Sequence, residues 1–334
     1  MAMPYALLRA GFPYVKTLGM RRVTDQPVAV AVGADDNVYV LCRLPGPSPI
    51  RKITWDDEYL GPVGAPEAAF QWPVALAMDA DDNFYVSDEA THRITAITSD
   101  GEFVGTWGEQ GDKEGQLNGP SGIAFDPGGN LWVADTLNHR VQRFTPDGEL
   151  LAGWGSFGSG EGEFNMPWGV AVDGQGDVYV VDWRNDRVQK FDSEGRFIFQ
   201  FGSSGNDGGE FNRPADIAVD GDGDVYVADL GNHRVQMFDR EGRYIQKFTG
   251  DGTLSKSARE YILANAKSLR LRHMANLEPE ALFLGPTSMT VDREGRMVVI
   301  DGGHSRVQVY QKDAIPLSES QIAPPLRAPT LDTT

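Results

Sequence analysis

Residues 120–165 read PSGIAFDPGGNLWVADTLNHRVQRFTPDGELLAGWGSFGSGEGEFN. Apolar side chains alternate with small or polar ones in four short runs, and this period of two is typical of β-strands. The runs are GIAFD, NLWVAD, RVQRF and ELLAGWG. The segments between them, PGG, TLNH and TPDG, are rich in residues that favour turns. The stretch therefore predicts four short strands joined by tight turns.

The same unit recurs along the chain. Each copy opens on a proline, and successive copies begin 46, 47, 47, 47 and 72 residues apart. The opening prolines are Pro27, Pro73, Pro120, Pro167, Pro214 and Pro286. A nearly constant period in the forties, with four strands in each copy, is typical of the blades of a β-propeller. We therefore predict an all-β protein, a six-bladed β-propeller that occupies residues 13–312.

The two ends of the repeat region complete one another. The last copy supplies only three strands, whereas residues 13–19, PYVKTLG, look like the fourth strand of the other copies. Pairing of this N-terminal strand with the sixth blade would close the ring and leave no open sheet edge. Residues 1–12 are then an N-terminal tail. Residues 313–334 form a proline-rich C-terminal tail that we expect to be either disordered or extended across a neighbouring chain.

A helical insertion is predicted between blades five and six, at residues 255–283. Its apolar residues recur at roughly helical spacing behind Ser255, a residue type that caps helix N-termini. It carries five Lys or Arg against three Glu in an otherwise acidic chain. The insertion is either a lid over one rim of the ring or a docking element for another subunit or an acidic partner. In the second case its docking residues are Tyr261, Arg270 and Arg272.

Composition narrows the function classes. The 334 residues carry a net charge of −18, so the long-range field disfavours nucleic acid as the main ligand. No apolar run is long enough to span a membrane, and the N-terminus lacks the basic start of a signal peptide. The single Cys42 cannot form an internal disulfide. A cytoplasmic location is the default expectation.

The turns and strand openings carry recognisable motifs. The turns between second and third strands read DEATHRI, DTLNHRV, DWRNDRV, DLGNHRV and DGGHSRV, and three copies open with PSGIAFD, PWGVAVD and PADIAVD. Over residues 27–310 these motifs resemble the NHL repeat family of six-bladed propellers. The resemblance implies NHL-type blades of four strands each. It leaves the function open, because the family includes ligand-binding scaffolds, RNA-binding modules and at least one enzyme class.

Each of these five turns carries an Asp and an Arg five residues apart, and four of them carry a histidine. Because the Asp and Arg repeat around the ring, we interpret them as structural partners rather than as a catalytic group. Equivalent positions in different blades are also too far apart for the histidines to share one zinc ion, so we interpret these as loop-stabilising. The Asp–Arg pairs are Asp88/Arg93, Asp135/Arg140, Asp182/Arg187, Asp229/Arg234 and Asp301/Arg306, and the histidines are His92, His139, His233 and His304.

The chain is also similar, at the level of the repeat, to the peptidyl-hydroxyglycine lyases. In that family, histidines directly after the repeat proline hold the catalytic zinc. Here those positions are Val28, Val74, Ser121, Trp168, Ala215 and Thr287. None of them can replace imidazole as a zinc ligand, so zinc lyase chemistry is not expected.

Two places in the sequence could hold a divalent cation. The first is Asp216, which directly follows Ala215 in blade five. It matches a position that the lyase family associates with a structural cation. The sequence thus predicts no organic cofactor, and it leaves a cation such as calcium at Asp216 as the alternative to a hydrogen-bonded carboxylate. The segment DGDGD at 220–224 has the oxygen spacing of a calcium loop but lacks the later Glu ligand, so we interpret it as a hairpin turn.

Departures from the repeat are the best indicators of a binding site. Blade four has Trp168 at the channel mouth and Trp183, Arg184 and Asp186 in its turn, while blade one offers Arg43. The order of the strands places these turns on one face, together with Asp216. We hypothesise that this face binds a ligand or partner. The alternative for Trp168 is that its side chain simply fills the channel.

Two functions from different classes follow. The first is a non-catalytic propeller that acts as a protein-interaction scaffold or as an accessory subunit of a larger complex, since no catalytic group of residues can be assembled from the sequence. The second is a small-molecule hydrolase or lyase that uses the channel mouth, with Asp216 and Trp168 around a bound cation. This second hypothesis rests on analogy of fold.

Overall fold

Six four-stranded antiparallel sheets surround a central channel in the computed structural model, which describes residues 7–44, 46–47, 49–274 and 276–316. The first two strands of the chain are β1 (Leu7–Gly11) and β2 (Tyr14–Leu18). Blade one contains β3 (Pro27–Val32), β4 (Val38–Cys42), β5 (Ile50–Ile53) and β6 (Tyr59–Val63). Blade two contains β7 (Pro73–Met78), β8 (Phe84–Asp88), β9 (Arg93–Ile97) and β10 (Phe103–Trp107). Blade three contains β11 (Pro120–Phe125), β12 (Leu131–Asp135), β13 (Arg140–Phe144) and β14 (Leu150–Trp154).

The second half of the ring repeats this order until the helical insertion. Blades four and five contain β15 (Pro167–Val172), β16 (Val178–Asp182), β17 (Arg187–Phe191) and β18 (Phe197–Phe201); and β19 (Pro214–Val219), β20 (Val225–Asp229), β21 (Arg234–Phe238) and β22 (Tyr244–Phe248). The insertion contains α1 (Lys256–Leu263), α2 (Ala266–His273) and α3 (Glu278–Ala281). Blade six contains β23 (Pro286–Val291), β24 (Arg296–Asp301) and β25 (Arg306–Gln311), and β26 (Asp313–Pro316) follows it.

The ring closes as the sequence predicts. Strand β2 pairs antiparallel with β25 and becomes the fourth strand of blade six. The first strands of all six blades line the channel, and the second strands are buried along their length because neighbouring blades cover both of their faces. We call the face that carries the loops between second and third strands the mouth face, and the opposite one the hairpin face.

Apolar side chains three residues before the repeat prolines fill the gaps between blades. All five are at most 3% exposed. They are Phe70, Leu117, Phe164, Phe211 and Phe283. Burial of such a side chain contributes roughly 1.5–3 kcal/mol, so these residues hold each connector onto the ring.

The predicted Asp–Arg pairs form in four blades. In blade four, Asp182 accepts hydrogen bonds from Arg187 Nε at 2.8 Å and from the backbone N–H of Asn165 at 2.7 Å. The remaining Arg187 nitrogens donate to backbone carbonyls of Ser159, Gly160 and Glu163 in the preceding connector. The same ion pair recurs in blades three, five and six. We call this arrangement the Asp–Arg clamp.

Blade two departs from this pattern. Asp88 accepts four backbone N–H groups, those of Gln71, Trp72, Ala90 and Thr91. Arg93 is exposed instead of paired with it. The connector before blade two is short and lacks the glycine-rich loop whose carbonyls the arginines of blades three to five bind, so the expected Asp88/Arg93 pair is wrong.

The turn histidines stabilise the junctions between blades. His92, His139 and His233 each accept, through Nδ1, the backbone N–H of the residue before the next repeat proline, at 2.9–3.1 Å. His304 lies instead against Asp301, 3.1 Å away. Their interpretation as structural residues is confirmed by these contacts.

The segments predicted to be tails pair with one another where the structure describes them. Strand β1 forms a two-stranded antiparallel sheet with β26 of the same chain. Residues 1–6 and 317–334 lie outside the described residues. Residues 313–316 thus pair with the N-terminal segment of their own chain.

A lysine occupies the calcium-like turn of blade five. Lys312 Nζ lies 2.5 Å, 2.8 Å and 2.9 Å from carboxylate oxygens of Asp220, Asp222 and Asp224, and Arg9 also pairs with Asp224. Burial lowers the pKa of Lys312, but hydrogen bonds to the three carboxylates outweigh it and raise the pKa above its usual value. The ammonium group thus takes the position that a cation would take in a calcium loop.

The insertion is anchored to blade one. Ser255 caps α1, as predicted, by accepting the N–H of Ala258. The carboxylate of Asp57, in the last hairpin of blade one, accepts the N–H of Ser257 at 2.7 Å and that of Gly19 at 2.6 Å. Asp57 therefore ties the closing strand, blade one and α1 together. None of the helices in the described residues is long and apolar enough to cross a membrane.

Substitution of Lys312 by Met tests the contact between Lys312 and blade five. The side chains of Lys312, Asp220 and Asp224 are at most 5% exposed. Removing the ammonium takes the cation from the buried Asp220 carboxylate and leaves Asp224 with Arg9 alone, so we expect the free energy of unfolding to fall by about 3–5 kcal/mol in urea denaturation. Lys256→Met is the matched control, because the Lys256–Glu58 pair is exposed and should contribute less than about 1 kcal/mol. Equal effects of the two substitutions would contradict the assignment.

Candidate functional site

The channel opens on the mouth face and encloses about 300 Å³. Most of its wall is apolar, from small and branched side chains of the first strands. Trp168 contributes to the channel wall near the mouth, beside open space, and its role in ligand binding stays a prediction. The space is at the lower end of the range for small-molecule pockets.

Blade three fixes the position of Trp168. Ser121 Oγ donates to the Trp168 carbonyl at 2.9 Å, and Thr136 Oγ1 donates to the Pro167 carbonyl at 2.8 Å. A Cβ on Gly122 would approach the same Trp168 carbonyl to 2.3 Å, so only glycine permits this contact between first strands. Trp168 therefore borders the channel on a rigid backbone.

A stack of aromatic and cationic side chains extends outward from Trp168. Its ring centroid is 5.7 Å from that of Trp183, and the guanidinium groups of Arg213 and Arg184 lie 4.6 Å and 5.4 Å from the Trp183 ring. These distances are within the range of cation–π attraction. We call Trp168, Trp183, Arg184 and Arg213 the mouth cluster.

Asp186 supports the mouth cluster from below. It stands where three other turns have histidine, and its carboxylate accepts the Arg213 N–H and the Ser204 hydroxyl, each at 2.7 Å. Arg213 has a positive φ of 52°, which this N–H contact holds in place. Asp186 therefore holds the backbone of Arg213 in place, and its contact with a ligand stays a prediction.

The cluster continues to an exposed phenylalanine. Phe157 is 68% exposed and packs edge-on against His139, with 5.0 Å between the ring centroids. Burial lowers the pKa of His139, the charge of Asp182 opposes this, and the charge of Arg184 adds to it. The outer part of the mouth face thus presents an aromatic ring beside the cationic cluster.

Arg43 lies away from the mouth cluster. Its guanidinium stacks on Trp72 at 4.9 Å, at the junction of blades one and two. Blade one faces blade four across a six-membered ring, so the sequence-predicted residues divide into two groups on opposite sides of the channel. Burial lowers the pKa of Arg43, whereas Glu89 opposes this.

Asp216 lies in the channel wall and is used in contacts between blades. Its carboxylate accepts the backbone N–H of Met289, in the next blade, at 3.0 Å. Burial raises its pKa to about 6, although hydrogen bonds from the Ser288 hydroxyl and the Met289 N–H oppose the shift. Among the described residues no group of three or more His, Cys, Asp or Glu side chains could hold a metal ion. A cation at Asp216 would therefore need most of its ligands from water, and it stays a prediction.

The hairpin face has the opposite electrostatic character. A cavity of about 690 Å³ opens there between blades one, two and six. Five carboxylates and two arginines line it: Asp36, Asp79, Asp82, Asp292, Glu294, Arg293 and Arg296. The two ends of the channel therefore favour ligands of opposite charge.

The helical insertion forms a second candidate surface. A groove of about 400 Å³ is lined by Leu254, Ile262, Leu263, Leu269 and Leu277, with Arg259 and Arg272 beside them. No residue of α1 is buried. We call this the insertion groove.

The predicted docking residues of the insertion have different environments. Tyr261 accepts a hydrogen bond from Arg22 and stacks under its guanidinium at 4.3 Å. Arg272 pairs with Glu280 at 2.6 Å. Arg270 is exposed on α2. Of the three, Arg270 is the residue most available to a partner, since the other two are engaged within the chain.

Sequence reasoning missed Arg213, Trp72 and Asp57. Arg213 and Trp72 both precede a repeat proline, where two other blades have glycine, and that departure was a usable signal. The sequence contains no such signal for Asp57. An Asp in a hairpin is typical of a turn, and its contact with Ser257 of α1 joins residues that are far apart in the sequence.

Comparison with known proteins agrees with this architecture. Residues 117–144, 164–191 and 211–238 match the NHL repeat model, and they lie in blades three, four and five. The chain is thus a six-bladed β-propeller that contains NHL repeats. A comparison with the curated proteins finds no match.

Solved structures support the fold at low sequence identity. Virginiamycin B lyase from Staphylococcus aureus is 14% identical with a TM-score of 0.57, over 91% of this chain and 100% of that one. A Bacteroides thetaiotaomicron protein of unknown function is 18% identical with a TM-score of 0.64, over 93% and 77%. A chain in a nidogen–laminin complex is 20% identical with a TM-score of 0.51, over 66% and 79%. At these identities the likeness concerns the fold alone.

The raised pKa of Asp216 predicts a pH dependence of stability. An unfolded Asp titrates near pH 3.9, so between about pH 4 and pH 6 the folded protein binds more protons and this contribution to stability falls as the pH rises. Two pKa units correspond to roughly 2–3 kcal/mol. In urea denaturation, the unfolding free energy of the wild type should therefore fall between pH 4.5 and 7.5. We expect this decrease to be smaller by roughly 2–3 kcal/mol in Asp216→Asn. An unchanged pH dependence would show that Asp216 does not titrate in this way.

The same variant tests the cation prediction. If a divalent cation binds at Asp216, calcium should raise the unfolding temperature of the wild type and leave that of Asp216→Asn unchanged, since a ligand stabilises only the form that binds it. Equal responses, or none, would exclude a cation at this residue.

Proposed function

We propose that this chain is a non-catalytic interaction propeller, a scaffold or accessory subunit that binds a protein partner through its helical insertion. The observation that carries the proposal is the uncovered apolar surface of the insertion. Leu263, Leu271 and Met274 are 61%, 60% and 77% exposed, close to the insertion groove. Exposed apolar patches of this kind mark interaction sites, because leaving them in water is unfavourable.

Helix length supports the same proposal. Helices α1 and α2 have eight residues each, which is too short for stability in isolation. They gain stability from their anchor at Asp57 and from each other, yet Leu263 of α1 and Leu271 of α2 are largely exposed. Closure of the propeller does not need the insertion, so a binding role accounts for its presence.

Charge indicates the chemistry of the partner. The insertion has a net positive charge in a chain whose net charge is −18. Arg259 and Arg270 are exposed on it, and carboxylates are their preferred partners. The partner segment therefore carries acidic side chains beside an apolar face, in the manner of an amphipathic helix in a groove.

Affinity purification of the full chain from its native host tests the proposal. We expect a stoichiometric protein partner to co-purify with the wild type and to be lost from Leu271→Ser/Met274→Ser, because these side chains are exposed and their loss should not affect folding. The matched control is Val104→Ser/Leu151→Ser, which changes two exposed apolar residues on the outer strands of blades two and three.

Charge reversal adds a second arm. Arg259→Glu/Arg270→Glu should also release the partner, since it opposes the acidic side chains we infer. A wild-type protein that elutes alone, or a partner that every variant retains, would contradict the proposal.

A small-molecule lyase or hydrolase is the second candidate. It is favoured by the channel and by Asp216, whose pKa of about 6 suits a group that exchanges protons near neutral pH. The solved structure of virginiamycin B lyase adds an enzyme of similar fold. The contacts of Asp216 with Met289 and Ser288 disfavour this candidate, because they already engage the carboxylate.

A further inference from the structure

The mouth cluster has cationic groups that the protein itself does not use. Neither the Arg184 nor the Arg213 guanidinium forms an ion pair with a carboxylate in the part of the chain that the structure describes. Both side chains are exposed. Both guanidinium groups are therefore available to an anion from outside the chain.

The stacking on Trp183 fixes how these arginines can act. A guanidinium that lies over a ring places its flat face against the aromatic surface and leaves its N–H edge free. That edge matches a carboxylate, which can accept two parallel hydrogen bonds. The Trp183 ring therefore holds both guanidinium groups at the mouth, 5.4 Å and 4.6 Å from its centroid.

The carboxylate of Asp186, in the same turn as Arg184, has other partners. The Asp186 oxygens are taken by the Arg213 backbone N–H and the Ser204 hydroxyl. In three other turns a histidine makes the equivalent contact. Replacement of the histidine by Asp thus anchors the backbone of Arg213 while its guanidinium remains over Trp183.

Trp168 adds an apolar surface beside the cationic one. It stands between Trp183 and the channel, and the channel wall in the neighbouring blade five includes Ala215. A flat apolar body that contacts Trp168 would lie over the mouth, with room below for part of its length. Cationic and apolar contacts are therefore adjacent on one rigid surface.

We propose that the mouth cluster is a binding site for an organic anion with a flat apolar body, of the class of aromatic carboxylates. The carboxylate binds the N–H edges of Arg184 and Arg213, and the ring packs on Trp168 at the channel mouth. This site is independent of the protein-docking role of the insertion.

Isothermal titration calorimetry of the full chain with a naphthalene carboxylate, and with the neutral carboxamide of the same shape, tests the site. We expect the carboxylate to bind at least about tenfold more tightly than the carboxamide, since only the charged group gains hydrogen bonds to both arginines. Higher salt should weaken the binding of the carboxylate and leave that of the carboxamide unchanged.

Variants locate the binding to the mouth cluster. Arg213→Gln and Trp168→Leu should each weaken carboxylate binding about tenfold or more, with circular dichroism to verify folding. Arg196→Gln is the control, because Arg196 is exposed and paired with Asp192 on a different hairpin. Equal binding of the two probes, no effect of Arg213→Gln, or no binding at millimolar concentration would overturn the proposal. None of these outcomes bears on the partner of the insertion.

Discussion

The hydrogen bonds of the Asp–Arg clamp are the constraint on which this propeller depends. Each connector between regular blades is rich in glycine and turns sharply, so its backbone carbonyls cannot pair within a sheet. In blade five, Arg234 donates to the carbonyls of Asn206, Asp207 and Glu210, and Asp229 in turn accepts from Arg234 at 2.7 Å. A buried charge is tolerated because every oxygen and nitrogen has a partner. The Asp229 carboxylate thereby holds Arg234 of β21 against the connector that precedes blade five, and it also binds the backbone N–H of Asn212 at the start of that blade.

The rest of the molecule follows from how the clamp is satisfied or replaced. The connector in front of blade six is long. There Arg306 donates to the carbonyls of Glu280 and Leu282 at the end of the insertion, so the clamp of blade six also holds the insertion on the ring. Where the connector is short, before blade two, Asp88 binds backbone N–H groups alone. Four of the five repeated arginines are engaged in the clamp, whereas Arg184 and Arg213 of the mouth cluster are exposed.

Much of this organisation could be predicted from the sequence, for physical reasons. A proline that opens each copy, a period of two and turn residues at fixed offsets determine local structure, and their repetition determines the ring. Closure by residues 13–19 followed from counting strands. The Lys312 contact could not be foreseen, because DGDGD shows three carboxylates but not which cation they bind. Likewise Trp183 was recognised as irregular, but its stacking with Arg213, 30 residues later, depends on how two blades meet. Contacts between distant residues leave no periodic trace in the sequence.

The central claim is that the arginines of the Asp–Arg clamp stabilise the ring, whereas those of the mouth cluster, Arg184 and Arg213, bind a ligand. Two arginines of one turn, Arg187 and Arg184, test this claim. Arg187 is buried in the clamp, and Arg184, three residues earlier, lies exposed over Trp183. Unfolding free energy and naphthalene carboxylate affinity would be measured for Arg187→Lys and Arg184→Gln. We predict that Arg187→Lys loses about 3 kcal/mol of stability and keeps its affinity, while Arg184→Gln keeps its stability and loses affinity about tenfold. If both substitutions change the same quantity, the separation between the repeated and the irregular residues is wrong.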